Sequence, residues 1–552
     1  MKSVLGCPGE HLKPFDSRGS FVLETERSDV RGLAVRGAGL TVLAQAMAFV
    51  VQMAAIVVLA RLLTPADFGV VTMVTTFSLL LTSFGLNGFT EAVIQRNEIN
   101  HCLASNLFWI NVGSGILLTA SFAGAGSVLA RLYHDPRVAN VTIGISASIL
   151  FTSVSVLHLA LLKRAMLFSV VSLIDIVARA VSVIVSIILG LAGWGYWALV
   201  AGAVAQPLAI STGAWLLCRW IPGFPRRVPG TAALVRFAMN IYLHFIVTYA
   251  GWNTDNLLVG WRFQAAALGF YKKAFDLFFL PASQLLSPVG AVAMSALSKF
   301  NRDFVQFRRH FLGLFSIFAF LGMAVGADLT LVGKDFILLL LGPRWEESGR
   351  IFTFFGPGIG IMLLYGMHGW IHVSIGKPER WFRWGIVELS VTVLLFVFCL
   401  RWGPVGIATA WSASFWILFL PAFWYAGKPI GLGIGATVAV VWRYLIASLI
   451  AGGATAAIAG RALFLTALSG GVGAASRIAI VSLLFGTLYI ALVVLLHRGL
   501  APLHQVARLS RDVLPQSWFS RRLPRVATVF ESQSALEPAG PAELSTGALP
   551  EL

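Results

Sequence analysis

Charge is scarce in this sequence. Only 12% of its 552 residues are Asp, Glu, Lys or Arg, against about 25% in an ordinary soluble domain. Together with a mean hydropathy of +0.82, that scarcity excludes a soluble globular protein. Cysteine is also sparse: Cys7, Cys102, Cys218 and Cys399 form no CxxC pair, and no His/Cys cluster has zinc spacing. A disulfide framework and a metal centre are therefore not expected. Long polar loops are missing as well. No loop on the outer side exceeds about twenty residues, which leaves no room for an extramembrane catalytic domain. No catalytic residue is expected, and the protein is not read as an enzyme.

What is present is apolar length. Runs long enough to span a bilayer recur from residue 37 to residue 497, and each span needs roughly 20 apolar residues. The runs are too long and continuous for barrel strands, so an all-α polytopic membrane protein follows. Fourteen helices are expected, at 37–60, 69–90, 104–129, 139–161, 168–191, 195–218, 233–254, 274–296, 310–332, 351–374, 384–402, 405–426, 438–459 and 477–497. The segment before them, 1–36, is polar and lacks the pattern of a cleaved signal peptide. The stretch 498–552 is rich in Pro, Ala, Ser and Arg and reads as mostly disordered.

Positive charge sets the orientation, because Lys and Arg stay cytoplasmic. With the N-terminus inside, the cytoplasmic segments hold 28 of these residues and the outer ones 12. N-in and C-in is expected. The net charge of +17 then reads as a topology signal facing anionic lipid, and nucleic acid is not an expected partner.

A turn is written twice. Ala60-Arg61-Leu-Leu-Thr-Pro65-Ala-Asp67-Phe68-Gly69 is matched 200 residues later by Trp261-Arg262 through Leu268-Gly269-Phe-Tyr271. A second pair, Gly193-Trp-Gly195-Tyr-Trp-Ala198 and Gly403-Pro-Val-Gly406-Ile-Ala408, lies at nearly the same offset. Two matched turns at one spacing indicate duplication of a six-helix unit. Six is even, so both copies start on the same side and the repeat is parallel. The expected division is an N-lobe at 37–218, a cytoplasmic linker at 219–232, a C-lobe at 233–426 and an extra helix pair at 427–497.

These residues carry a family resemblance. The turn at Arg61–Gly69, with Phe84-Gly-Leu-Asn-Gly-Phe-Thr-Glu91, Leu107-Phe108-Trp109-Ile-Asn111, Asn253-Thr-Asp255-Asn256 and Leu341-Gly342-Pro-Arg344-Trp345, resembles Wzx-type polysaccharide flippases of the MATE-like/MOP superfamily. The likeness covers roughly residues 30–430 and is nearest to the colanic-acid and exopolysaccharide exporter branch. Pro343 departs from the pattern, and the resemblance assigns nothing after residue 500. It implies two six-helix lobes around a central cavity open alternately to each side. The implied cargo is a polyprenyl-diphosphate-linked oligosaccharide, moved to the outer leaflet of the cytoplasmic membrane for surface polysaccharide synthesis. It further implies a monomer among membrane lipids, working beside polysaccharide polymerase or export machinery. The same fold class also holds ion-coupled drug exporters, which stands as the alternative. A membrane polysaccharide polymerase or ligase is disfavoured by the short outer loops.

A diphosphate cannot cross ~30 Å of hydrocarbon without a polar or basic lining. Candidate lining residues are Asp175 and Arg179, which share a helix face at i, i+4, and Glu388, at a nearly matching place in the second lobe. Arg236, Asn240 and His244 form a polar stripe on helix seven, and Gln45 and Gln52 share a face of helix one. Each has a structural alternative: an intrahelical ion pair, a snorkelling Arg, a bonded core His, or helix–helix glue. Gating or coupling candidates are Arg61, Asp67, Glu91 and Asp255; for Arg61, interfacial anchoring is the stronger reading, and Asp255 could be an ordinary helix-end carboxylate. No cofactor is expected, and proton, sodium or membrane-potential coupling all fit.

Overall fold

The computed structural model describes residues 14–15, 21, 49–95, 99–226, 231–462 and 470–505. Inside the helices, the side chains of residues 87, 91, 92, 95, 240, 244, 281–285, 287, 288, 291 and 292 are outside the description. The expectations for most of 1–36 and 498–552, for the first part of helix one and for Gln45 therefore fall on residues outside it. The described residues up to Pro502 belong to one compact unit.

The described residues are almost wholly helical. Eleven helices are long and apolar enough to cross a membrane. Two of these stretches are double, and Phe49–Leu62 is a further, shorter apolar helix, so the division is consistent with fourteen spans. They are α1 (Phe49–Leu62), α2 (65–95), α3 (His101–Gly124), α4 (Arg137–Arg164), α5 (Phe168–Leu191), α6 (Tyr196–Cys218), α7 (231–263) and α8 (265–298), followed by α9 (Phe304–Leu341), α10 (346–374), α11 (Pro378–Cys399), α12 (Gly403–Gly427), α13 (Ile434–Arg461) and α14 (Gly470–His497). Six helices form one lobe, six the other, and α13 and α14 pack on α9.

Several boundaries differ from the sequence reading, and the reason is local. Helices seven and eight were expected to leave a loop at 255–273. Instead the chain is helical through this region except at Gln264 (φ 67°, ψ −178°). One residue in a left-handed, glycine-type conformation turns the chain, so α8 begins nine residues early. The corresponding break before α2 is also short. Thr64 caps that helix by accepting from the Asp67 amide, while the Asp67 carboxylate takes the Thr64 amide at 2.9 Å and its hydroxyl at 2.6 Å. Pro65 occupies the first turn, where no amide is needed. The second repeated turn uses positive-φ glycines in both copies, Gly193 and Gly195 in one and Gly403 in the other, conformations open to glycine at little cost. Before α4, the Arg137 guanidinium lies 2.7 Å from Asp135 and holds its carboxyl below the usual carboxylate range.

The linker after α6 is strapped to α3. Asn106 donates to the Arg226 carbonyl (2.5 Å) and accepts from the Arg226 amide (2.8 Å). Ser105 accepts from the Gly223 amide (2.9 Å), Trp109 donates to the Gly223 carbonyl (2.8 Å), and His101 reaches the Ile221 carbonyl (3.3 Å). Side chains on one face of α3 thus satisfy a backbone that has no ladder of its own. Phe15 joins this end through edge contacts with His101.

Candidate functional site

The repeated turns meet each other. A Cβ on Gly69 would lie 1.7 Å from the Ala265 carbonyl oxygen, and one on Gly269 would lie 1.8 Å from the Pro65 carbonyl oxygen. Residue 69 touches 265 and residue 269 touches 65, which is the reciprocity of a pseudo-twofold axis. Only glycine allows helix backbones this close. The seam is extended by Trp345, which donates to the Ala60 carbonyl at 2.8 Å, and by Arg61, which donates to the Leu339 carbonyl at 3.1 Å. Farther along α2, the Tyr249 hydroxyl donates to the Thr76 carbonyl (2.7 Å) and the Tyr242 hydroxyl to the Leu80 carbonyl (3.0 Å). The lobes are therefore joined along α2 and α7, and sealed by α2 and α8 at the repeated turns.

Two acids of the C-lobe, Asp255 and Glu388, each accept a tyrosine hydroxyl. Asp255 on α7 is fully buried. Its carboxylate accepts from the Tyr271 hydroxyl of α8 at 2.6 Å and from the Trp411 indole of α12 at 3.0 Å, while its other oxygen takes the Asn256 amide at 2.7 Å. All three donors are neutral, and no cation lies within ion-pair distance among the described residues. Glu388 on α11 accepts from the Tyr365 hydroxyl of α10 at 2.9 Å, and that hydroxyl accepts from the Trp384 indole at 2.8 Å. His368 and His372 are buried beside this chain.

The remaining sequence candidates are dispersed. Asp175 and Arg179 pair with each other at 2.9 Å along α5, each about two-fifths exposed (42% and 38%). Gln52 and Arg236 are exposed. Asp67 is the partner of Thr64 in the helix cap described above. The side chains of Asn240, His244, Glu91 and Gln45 are outside the described residues. Asn111, from the motif Leu107–Asn111, donates to the Ser153 carbonyl at 2.6 Å and joins α3 to α4.

Sequence reasoning passed over Lys272, Lys273 and Asp276, because the expected start of helix eight at 274 put both lysines in a loop. They stand inside α8. Lys272 lies 2.8 Å from Asp276. Lys273 is 8% exposed, and its ammonium sits 4.0 Å from the centre of the Phe68 ring across the seam. The i, i+4 spacing of Lys272 and Asp276 was the available signal.

The comparisons with known proteins agree with this architecture. The family model described as "Polysaccharide biosynthesis protein" matches residues 58–350, a stretch that includes both copies of the Arg–Gly turn. The chain is similar to the Lipopolysaccharide biosynthesis protein WzxC of Escherichia coli (strain K12), 22% identical over 324 residues, which cover 58% of this chain and 65% of that protein. The chain thus spans just under two thirds of that relative's length. The Teichuronic acid biosynthesis protein TuaB of Bacillus subtilis (strain 168) is 23% identical over 356 residues, 63% of this chain and 73% of that one. Among solved structures, the lipid II flippase MurJ in its inward closed conformation superposes with a TM-score of 0.67 at 14% identity, over 83% of this chain and 99% of that one. An inward-facing multidrug resistance MATE family transporter of the MOP superfamily gives 0.56 at 12% identity, over 71% and 98%. Those likenesses establish the fold, a pair of six-helix lobes with two further helices. The match over more than half of the chain, on the lobes and seam just described, shows that the chain belongs to the polysaccharide biosynthesis protein family.

Proposed function

We propose that the protein is a transporter that moves a polyprenyl-diphosphate-linked oligosaccharide from the cytoplasmic to the outer leaflet of the cell inner membrane, by alternating access of its two lobes. The observation that carries this reading is the reciprocal glycine seam. Two copies of one bundle meeting about a pseudo-twofold axis can rock against each other around a central path. The family supplies the metabolic setting, surface polysaccharide synthesis. The relatives' names speak of lipopolysaccharide and teichuronic acid biosynthesis, and MurJ is a lipid II flippase. No covalent chemistry is required of the protein.

In this reading the N-terminus and C-terminus are cytoplasmic and the repeated turns lie at the outer face, as the distribution of Lys and Arg supports. Arg179, Asp175, Glu388, Arg236, Asn240, His244, Gln45 and Gln52 are proposed cargo contacts, joined by Lys273. Asp255 is the proposed coupling acid. A buried carboxylate surrounded by neutral donors is costly in a membrane bundle unless a proton or cation joins it. Arg61, Asp67 and Glu91 are proposed at the gates. A single polypeptide suffices, and polymerase or export machinery would take the cargo on the outer side.

Loss of the gene tests the reading. Surface polysaccharide should disappear while lipid-linked repeat units accumulate and stay protected from membrane-impermeant reagents applied outside. If those units still reach the outer leaflet with no other flippase present, the reading fails.

A further inference from the structure

A buried ammonium in a membrane helix is expensive and is ordinarily matched by a carboxylate. Lys272 has that match in Asp276, at 2.8 Å. Its neighbour Lys273 feels the same carboxylate but is not bonded to it: among the described residues it makes neither an ion pair within 4.0 Å nor a hydrogen bond. It is 8% exposed, and its described partner is the face of Phe68 on the opposite lobe, 4.0 Å away. Phe68 in turn meets the edge of Trp345 at 5.5 Å, and Trp345 is bonded to the Ala60 carbonyl. The ammonium is therefore part of the contact that holds the seam shut.

An aromatic face attracts an ammonium, but it satisfies none of its three N–H donors, whereas a phosphate oxygen offers a charge-assisted hydrogen bond. We infer that Lys273 is an exchangeable latch: it closes the seam through Phe68 until a phosphoryl anion takes the ammonium, and the seam then loosens. The ligand class is a diphosphate or phosphate ester, from a lipid headgroup or free in solution. Engagement of Lys272 by Asp276 leaves Lys273 as the cation available for exchange. The inference rests on the lipid-cargo reading and adds to it the step by which cargo would open the outer gate.

The test uses the full chain with its four cysteines replaced by alanine and spin labels at Arg131→Cys and Arg350→Cys, exposed positions of the two lobes. In phosphatidylcholine nanodiscs, undecaprenyl diphosphate should lengthen the inter-label distance, and undecaprenol, which lacks phosphate, should not. Lys273→Gln should populate the longer distance with no ligand added and lengthen no further on adding it, and Lys273→Arg should restore the parent's behaviour. Phe68→Leu should populate the longer distance with no ligand added. Lengthening in Lys273→Gln equal to that of the parent, or a Phe68→Leu distance equal to the parent's, overturns the latch. Binding of undecaprenyl diphosphate without any lengthening also overturns it, yet leaves the cargo reading standing. Absence of binding overturns the latch, and failure of the oligosaccharide-bearing lipid to bind as well overturns the cargo reading. A response to inorganic pyrophosphate as large as that to the lipid supports the latch and assigns its ligand to the free anion, against the lipid cargo.

Discussion

Gly69 and Gly269 matter because of what they lack. Each approaches a carbonyl of the other lobe so closely that a methyl group would fall within 2 Å of it (1.7 and 1.8 Å). Backbone, unlike a flexible side chain, cannot move aside at small cost. Gly69→Ala and Gly269→Ala should each destabilise the closed seam by about 1–3 kcal/mol or more, and the double variant should do little further harm, because one displacement relieves both clashes. Thermal unfolding in detergent measures this; equal stability of parent and both single variants would contradict the crossing. Asp255 provides a second residue-level case. Removing the hydroxyl donor with Tyr271→Phe leaves a buried carboxylate short of one hydrogen bond, a loss of about 1–3 kcal/mol, read in the same unfolding experiment. The sequence showed Asp255 but not its environment, since Tyr271 lies 16 positions away and Trp411 156 away. The Asp175–Arg179 pair, by contrast, was legible because an i, i+4 contact is local.

Elements were legible where the apolar pattern alone decides them. Helix five was expected at 168–191, and α5 spans Phe168–Leu191. Expectation failed at α8, where a single residue, Gln264, does the work of a loop and leaves no polar run to read. It also fell short at α9, expected at 310–332 and found at Phe304–Leu341. There Asp335 lies beyond the expected end, yet it and Asp328 bind α14: Arg477 grips Asp335 at 2.6 and 3.1 Å, and Ser482 donates to Asp328 at 3.0 Å. The linker strap is likewise invisible in sequence, because its bonds from α3 span more than a hundred positions. Asn106→Leu removes both bonds of the central clasp and leaves the Arg226 amide and carbonyl to find other partners. Amide exchange at Gly223 and Arg226 should rise at least tenfold while exchange in α9 to α12 is unchanged. Unaltered protection at Arg226 would show that the strap does not hold the linker.

At the scale of the whole molecule, the duplicated turn links sequence to mechanism. Its two copies, first visible as similar strings, form one of the surfaces by which the lobes touch, and the pseudo-twofold seam makes rocking of one bundle against the other the natural motion. Many of the side chains that would meet cargo were suggested by the sequence as isolated polar residues on apolar helices. Their partners depend on tertiary contacts, and so does Lys273, which gained its place only when α8 was found to start at residue 265. The most direct test of the account is flipping by the purified protein. Reconstituted into liposomes loaded asymmetrically with a fluorescent polyprenyl-diphosphate oligosaccharide, it should expose inner-leaflet probe to an external impermeant quencher much faster than protein-free liposomes do, and Asp255→Asn and Lys273→Gln should slow that exposure at least tenfold. Exposure no faster than in protein-free liposomes, under an imposed proton gradient, sodium gradient or membrane potential alike, would contradict the account.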